Sequence, residues 1–202
     1  MILKCLYDYA KMLGDKIPSE GLELKEIEFV IVIDAEGRFK RFESKRIDKR
    51  HCATFMVARS ANHTNNRKPN SLWGKGKFVL GFNDADKKYN ISFINQVRLI
   101  AQHHPDDPSI KALVKFYDMP CDERERLISA DSLYEDVRQS YGSNFSFRLE
   151  TDDCLIAEKS YLFLDLADSS SGAVTGRCLV TGTKGPIVRT TTSSRTPRGC
   201  VN

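Results

Sequence analysis

The sequence predicts an α+β fold: a mixed, mainly antiparallel sheet interrupted by a helical insertion. Three observations carry this expectation. Short β-branched and aromatic runs occur before residue 83 and again after residue 144. Between about 86 and 141 the apolar spacing changes to the 3.6-residue period of helices. Gly, Asp, Asn and Pro punctuate the segments at the joints where turns are needed.

Taken in order, Ile2, Leu3, Leu6, Tyr9, Ala10 and Leu13 recur at intervals of three and four, which predicts an amphipathic helix stopped by Gly14 and Pro18 and packed on another element. Glu26–Ile33 (EIEFVIVI) reads as one strand covered on both faces, because its apolar run is nearly continuous. Asp34-Ala35-Glu36-Gly37 reads as a hairpin turn into a second strand over 38–43. Cys52–Ala58 and Phe78–Phe82 are expected as the third and fourth strands, joined by an Asn-rich loop of about twenty residues, a length that compact domains keep for function or leave disordered. Helices are expected over 91–104, 109–117, 122–129 and 132–141, with Pro105 and Pro108 separating the first two. The chain returns to strands at 145–150, at 154–157 and, briefly, at 178–181. One domain over 1–182 is expected, carrying the insertion at about 86–141. The tail over 183–202 turns to Ser, Thr, Arg, Pro and Gly with no acidic residue, which predicts a segment without structure.

Charge is distributed unevenly. Between Arg38 and Lys77 there are twelve Lys or Arg against two acidic residues, a balance of +10, and since the whole chain carries +4, everything outside that window sums to −6. Phe39, Phe42, Ile47, Phe55, Val57 and Trp73 interrupt the basic residues, so the charge is expected on a folded scaffold that meets a polyanion. The helical stretch is the acidic part, with nine Asp or Glu against four Lys or Arg between Pro105 and Asp136, and is expected to face away from that polyanion or toward a basic partner. A soluble protein is expected, because the apolar run at the N-terminus is broken by Tyr, Asp and Lys and is too short to serve as a leader or a membrane span. The six cysteines form no CxxC pair and read as reduced cytosolic thiols, mostly in the core.

Catalytic signatures are scarce. Trp73-Gly74-Lys75-Gly76-Lys77 lacks the spacing of a phosphate-binding loop and is expected to precede a strand, so no helix dipole would face an anion there. His103-His104 with Asp106-Asp107 reads as a polar helix terminus with capping carboxylates, because adjacent histidines point to different faces. Neither a catalytic residue nor a metal or cofactor site is expected, and the chain is read as a non-enzyme. In the loop, by contrast, Lys and Arg suit phosphates, Asn suits base edges, and Trp73 or Phe78 could stack or wedge. The alternative use of each Asn is simply to adopt loop conformations with positive φ.

Five segments then resemble, in order and spacing, the N-terminal part of the large subunit of the type I-C CRISPR surveillance complex, Cascade. They are MILKCLYDYAKML, KEIEFVIVIDAEGRF, ATFMVARSANHTNNRKPNSLWGKGKFVLGF, NFSFRLE and CLVTGTKGPIVR. The resemblance runs to about Arg189 and corresponds to the front portion of much longer family members. It departs at Gly74-Lys75, where the family often has Asp-Asn, and after Arg189.

The resemblance implies a cytoplasmic role in antiviral defence. Guide RNA pairing reads the target, while the large subunit recognises a short motif on the flanking DNA duplex and later offers a surface to a helicase-nuclease effector. The implied partners are target double-stranded DNA, the guide RNA-protein complex of the other subunits, and that effector. Carried onto this chain, Arg59, Asn62, Asn66, Arg67, Lys68 and Asn70 are expected to meet the flanking duplex. Lys75 and Lys77 are expected on phosphate, together with Lys45, Arg46, Lys49 and Arg50. The other reading is a truncated regulatory or decoy protein that occupies a Cascade docking site.

Overall fold

The computed structural model describes residues 2–14, 18, 21–48, 51–60, 68–163, 175–178, 180 and 182–186. Two compact units divide the chain. Residues 1–17 and 168–202 form one and residues 18–167 the other. The described part of the first unit consists of helix α1 (Ile2–Leu13) and a small hairpin. α1 buries none of its residues. The periodicity located the helix.

The second unit is an α+β domain. Strands β1 (Leu22–Glu26), β2 (Phe29–Ile33), β3 (Phe39–Ser44), β4 (Thr54–Ala58) and β5 (Trp73–Lys75) lead into helices α2 (Gly76–Val79), α3 (Lys87–His103), α4 (Pro108–Asp118), α5 (Cys121–Ser129) and α6 (Tyr134–Gln139). Strand β6 (Asn144–Leu149) follows. The main sheet has the order β3-β2-β6-β5, in which only β2 and β6 run parallel. All five residues of β2 are buried, as its continuous apolar run requires for a strand with a neighbour on each side and helices above it. α4 covers β2 and β6, placing Phe116 edge-on to Phe147 at 5.5 Å. The β2–β3 turn lies directly on α4. A side chain at Gly37 would bring its Cβ to 2.5 Å from the Phe116 backbone nitrogen, and φ there is +76°, so only glycine fits.

Several boundaries differ from the sequence reading. The expected strand over 26–33 is two strands, broken at Ile27 and Glu28, with β1 leaving to pair with β4 in a separate two-stranded sheet. The expected third strand starts later, at Thr54, with Cys52 forming only an isolated bridge to Arg46.

Phe78–Phe82 is not a strand. The strand is β5, just before it, and the apolar run Phe78-Val79-Leu80 belongs to α2 and its cap, buried on every side. A short run of this kind has no periodicity to separate helix from strand. Its carbonyls are satisfied from the side: Asn90 Nδ2 donates to the oxygens of Phe78 and Val79 at 2.7 and 3.1 Å, and the Tyr117 hydroxyl donates to Val79 at 2.9 Å. Burial raises the Tyr117 phenol pKa, which keeps that donor protonated.

Residues 154–157 are likewise not a strand but lead into a 3₁₀ turn over Ile156–Glu158, where the Glu158 carboxylate accepts the Leu155 N–H at 2.8 Å. In the first unit, the strand expected at 178–181 is not found at its described residues, Cys178 and Val180, which lie between the two strands of a hairpin, and residues 179 and 181 lie outside the described residues. β7 (Thr175–Arg177) pairs with β8 (Lys184–Pro186), and Cys178 N–H donates to Thr183 O across the turn. Part of the tail expected to lack structure therefore forms β8, and residues 187–202 lie outside the described residues.

Candidate nucleic-acid interface

The described part of the first basic block, Arg38 to Arg46, lies on β3 and its flanks, and its charge is matched within the fold. Asp34 accepts the backbone N–H groups of Glu36 and Arg38 and the Arg38 guanidinium at 2.8 Å, with Lys40 Nζ at 3.3 Å. Burial pushes the Asp34 carboxyl up, but the Arg38 amide and guanidinium and Lys40 outweigh it and hold it below the ordinary carboxylate range. Glu43 sits among Lys45 and Arg41, each at 2.9 Å, and Arg148. Its burial is outweighed by those cations, led by Lys45, and its pKa is again lowered. Arg46 Nε donates to Glu28 at 2.5 Å, with Asp136 at 3.7 Å, and its guanidinium lies 4.9 Å from the Phe29 ring centre. Lys49 and Arg50 lie outside the described residues.

The acidic helices accordingly do not all face away. Asp136 of α6 reaches Arg46, and Asp131 accepts the Phe42 backbone N–H at 3.1 Å. Part of their charge stitches the insertion to β3.

The long loop starts after β4 and ends at β5, and both ends are pinned. Trp73 is buried and its indole N–H donates to Ala58 O at 2.9 Å, which ties the end of the loop to its beginning. Arg59 N–H donates to Gly21 O, the Ser60 backbone and hydroxyl donate to Glu23, and Ser146 Oγ donates to Leu72 O at 3.0 Å. Leu72 is buried with φ at +63°, a conformation costing a non-glycine residue roughly 1–2 kcal/mol. The sequence has no signal for it: a leucine there reads as an ordinary core residue.

On this frame Arg59 and Lys68 are exposed, as is Lys75 on the edge strand β5, and among the described residues none of the three has an ion-pair partner. Lys75 on a sheet edge also deters strand addition, which is a purely structural use. Lys77 is half-buried, its ammonium 4.5 Å from the Tyr89 ring centre and 5.3 Å from that of Phe78. Asn70 is half-buried, whereas Asn62, Asn66 and Arg67 lie outside the described residues.

The structure corrects two details of the aromatic and glycine-rich segment. Trp73 and Phe78 are 1% and 8% exposed, so neither is available to stack on or wedge into a base step. Lys75 does precede a helix, α2, but that helix has four residues and its entrance is closed. Gly76 N–H donates to Tyr141 O at 3.1 Å, and a Cβ on Gly76 would lie 2.4 Å from the Tyr141 ring.

Elsewhere, Asp107 caps α4 by accepting the Ser109 and Ile110 N–H groups, each at 2.9 Å, as its place after the histidines suggested. No group of three His, Cys, Asp or Glu among the described residues is arranged to hold a metal. Nor are the cysteines mostly in the core: Cys5, Cys121, Cys154 and Cys178 are exposed thiols and Cys52 is half-buried. No helix among the described residues is long and apolar enough to cross a membrane.

A search of curated proteins returns no match. The sequence does match a family model, described as CRISPR-associated protein (Cas_Csd1), over residues 3–199, nearly its whole length. With the ordered segments of the sequence and the α+β fold already in place, that match makes the chain a member of the Cas_Csd1 family of CRISPR-associated proteins.

Proposed function

We propose that this chain acts as the front portion of the large subunit of a type I-C Cascade, binding the DNA duplex that flanks the target while the guide RNA reads the target itself. The supporting observation is the segregation of its cations. Lys40, Arg41, Lys45 and Arg46 are paired with Asp34, Glu43, Glu28 and Glu150, whereas Arg59, Lys68 and Lys75 flank the long loop and have no ion-pair partner among the described residues.

A phosphate chain gains most from cations without a carboxylate neighbour, because no existing ion pair must be broken. In this reading Arg59, Lys68 and Lys75 position the duplex, with Arg67 between them in sequence. Asn62, Asn66 and Asn70 supply the amides suited to base edges. Lys45 and Arg46 chiefly build the sheet, and Lys49 and Arg50 are assigned to phosphate. The role is non-catalytic: it consists of docking on the other subunits and the guide RNA, and later presenting a surface to a helicase-nuclease effector.

The test uses a complex assembled with the other subunits and duplexes differing only in the flank. Replacing Arg59, Lys68 and Lys75 together by Ala should weaken all flanks about equally. At least one of Asn62→Ala, Asn66→Ala and Asn70→Ala should lose ~1–3 kcal/mol on the preferred flank and little on the wrong one. Unchanged flank discrimination in all three would remove base reading from this loop.

A further inference from the structure

A second site lies between the α2 exit and the helical insertion. Phe82 and Asn83 follow α2, Glu125 comes from α5, and Tyr134, Arg138 and Tyr141 come from α6 and its C-terminal end; together they line a cavity of about 250 Å³. Phe82 stacks on Tyr141 with ring centres 5.6 Å apart and planes 21° apart, and Tyr134 stands edge-on to Phe82 at 5.8 Å. All three rings are only half-buried.

The wall is tied to its neighbours by hydrogen bonds. Phe82 N–H donates to the Tyr141 hydroxyl at 3.1 Å, and Tyr141 O receives Gly76 N–H. The rim is polar and balanced in charge: Asn83, Glu125 and Arg138 are exposed, and the Arg138 guanidinium lies 5.8 Å from the Tyr134 ring centre.

We infer that this cleft takes an unstacked nucleobase of single-stranded nucleic acid. Its shape and chemistry select a flat, neutral heteroaromatic ring. The volume is below the ~300 Å³ at which pockets begin to enclose a drug-sized ligand, but it admits a single ring system. A cationic guest is disfavoured because the protein's own Arg138 already lies against the Tyr134 ring, and an anionic one because Glu125 stands on the rim.

What remains on offer is aromatic surface with acceptors and a donor at its edge. Glu125 can accept an exocyclic amine, as carboxylates do from cytosine, and Arg138 can donate to a ring carbonyl or to the adjoining phosphate. Position agrees with chemistry. Gly76, next to Lys75, packs on Tyr141, while Ser140 and Asp136, on the same helical segment as the cleft residues, hold Arg46. A strand freed from a duplex bound at Lys75 would therefore leave it beside an aromatic shelf. This last step rests on the proposed function; the cleft's preference for a base does not.

The probe is a short single-stranded DNA carrying 2-aminopurine, added to the full chain, with fluorescence quenching reporting a stacked base. Wild type should quench it, and an oligonucleotide with an abasic site at that position should bind roughly 5- to 150-fold more weakly, the size expected for one lost base stack. Tyr134→Leu should abolish the quenching and leave duplex affinity unchanged, and Tyr134→Phe should retain it.

Equal affinity of wild type for the intact and abasic strands would overturn the inference without any variant needing to fold. So would quenching that survives Tyr134→Leu, or displacement of the probe by an arginine peptide with no competition from unlabelled oligonucleotide. Because every reading is taken on single strands, failure of duplex recognition at Arg59, Lys68 and Lys75 would be seen separately, as an unchanged duplex affinity in their triple variant.

Discussion

Trp73→Phe probes the joint on which the loop depends. The indole N–H donates to Ala58 O at 2.9 Å in a buried setting, so removing it leaves the Ala58 carbonyl without that partner and away from water. A buried acceptor stranded this way costs ~1–3 kcal/mol. The smaller ring also leaves a void beneath Lys25, whose ammonium lies 5.1 Å from the Trp73 ring centre, and incomplete relaxation adds about 1 kcal/mol. The sum is ~2–4 kcal/mol, a large fraction of the stability of an ordinary domain.

In a domain of this size each kcal/mol moves Tm by about 2–4 °C, so a fall of roughly 4–16 °C is expected by calorimetry. Urea titration should show a lower midpoint with an unchanged m-value, since the folded state loses a contact without losing compactness. Because Trp73 and Ala58 bracket the loop, duplex binding should weaken even below the new Tm. A variant that melts within about 1 °C of wild type and binds DNA equally well would refute the claim that this bond pins the loop.

The remaining predictions concern single contacts. Gly76→Ala would put a Cβ 2.4 Å from the Tyr141 ring and should destabilise by ~1–3 kcal/mol in chemical denaturation, whereas Gly142→Ala, with nothing within 4 Å, should not. Glu43 has a folded pKa below its ordinary value, so the unfolded chain takes up the proton first. Its contribution is complete above the ordinary carboxylate range and is lost as pH falls toward the depressed folded value. Glu43→Gln should flatten that part of the stability-pH curve, and an identical curve would show that its three cations do not act on it. Asp107→Ala removes the α4 cap and should cost ~1 kcal/mol by urea titration.

The sequence made much of the fold legible where periodicity was long enough to be unambiguous. All four helices of the insertion were located within a few residues, as were the β2–β3 hairpin and β6, because amphipathic runs and a buried β-branched run each have one sensible solution. The misreadings at 78–82, 154–157 and at Cys178 and Val180 share a cause. Each is a run of a few apolar residues whose conformation is decided by distant partners: Asn90 and Tyr117 for α2, Glu158 for the 3₁₀ turn, and β8 for the hairpin.

At the candidate interface the density of cations was readable but their pairing was not. Which of them keeps free charge depends on Asp34, Glu28, Glu43 and Glu150, brought near by strand register and not by sequence distance. Burial of Trp73 is a tertiary fact of the same kind. The aromatic cleft was overlooked because Phe82 and Tyr134 are 52 positions apart, although Tyr134 and Tyr141 at a seven-residue spacing hinted at a shared helical face.

In this account duplex affinity comes from Arg59, Lys68 and Lys75 and not from the cations already paired on and beside β3. The most direct test is the slope of log affinity against log salt for one duplex. It should be measured on the assembled complex with wild type, with Arg59, Lys68 and Lys75 all changed to Ala, and with Lys45 and Arg46 changed to Ala. Each phosphate contact contributes about 0.9 to the slope, so the triple variant should lose roughly 2.7 and the double variant far less. Equal slopes for wild type and the triple variant, or a larger loss in the double variant, would contradict the account.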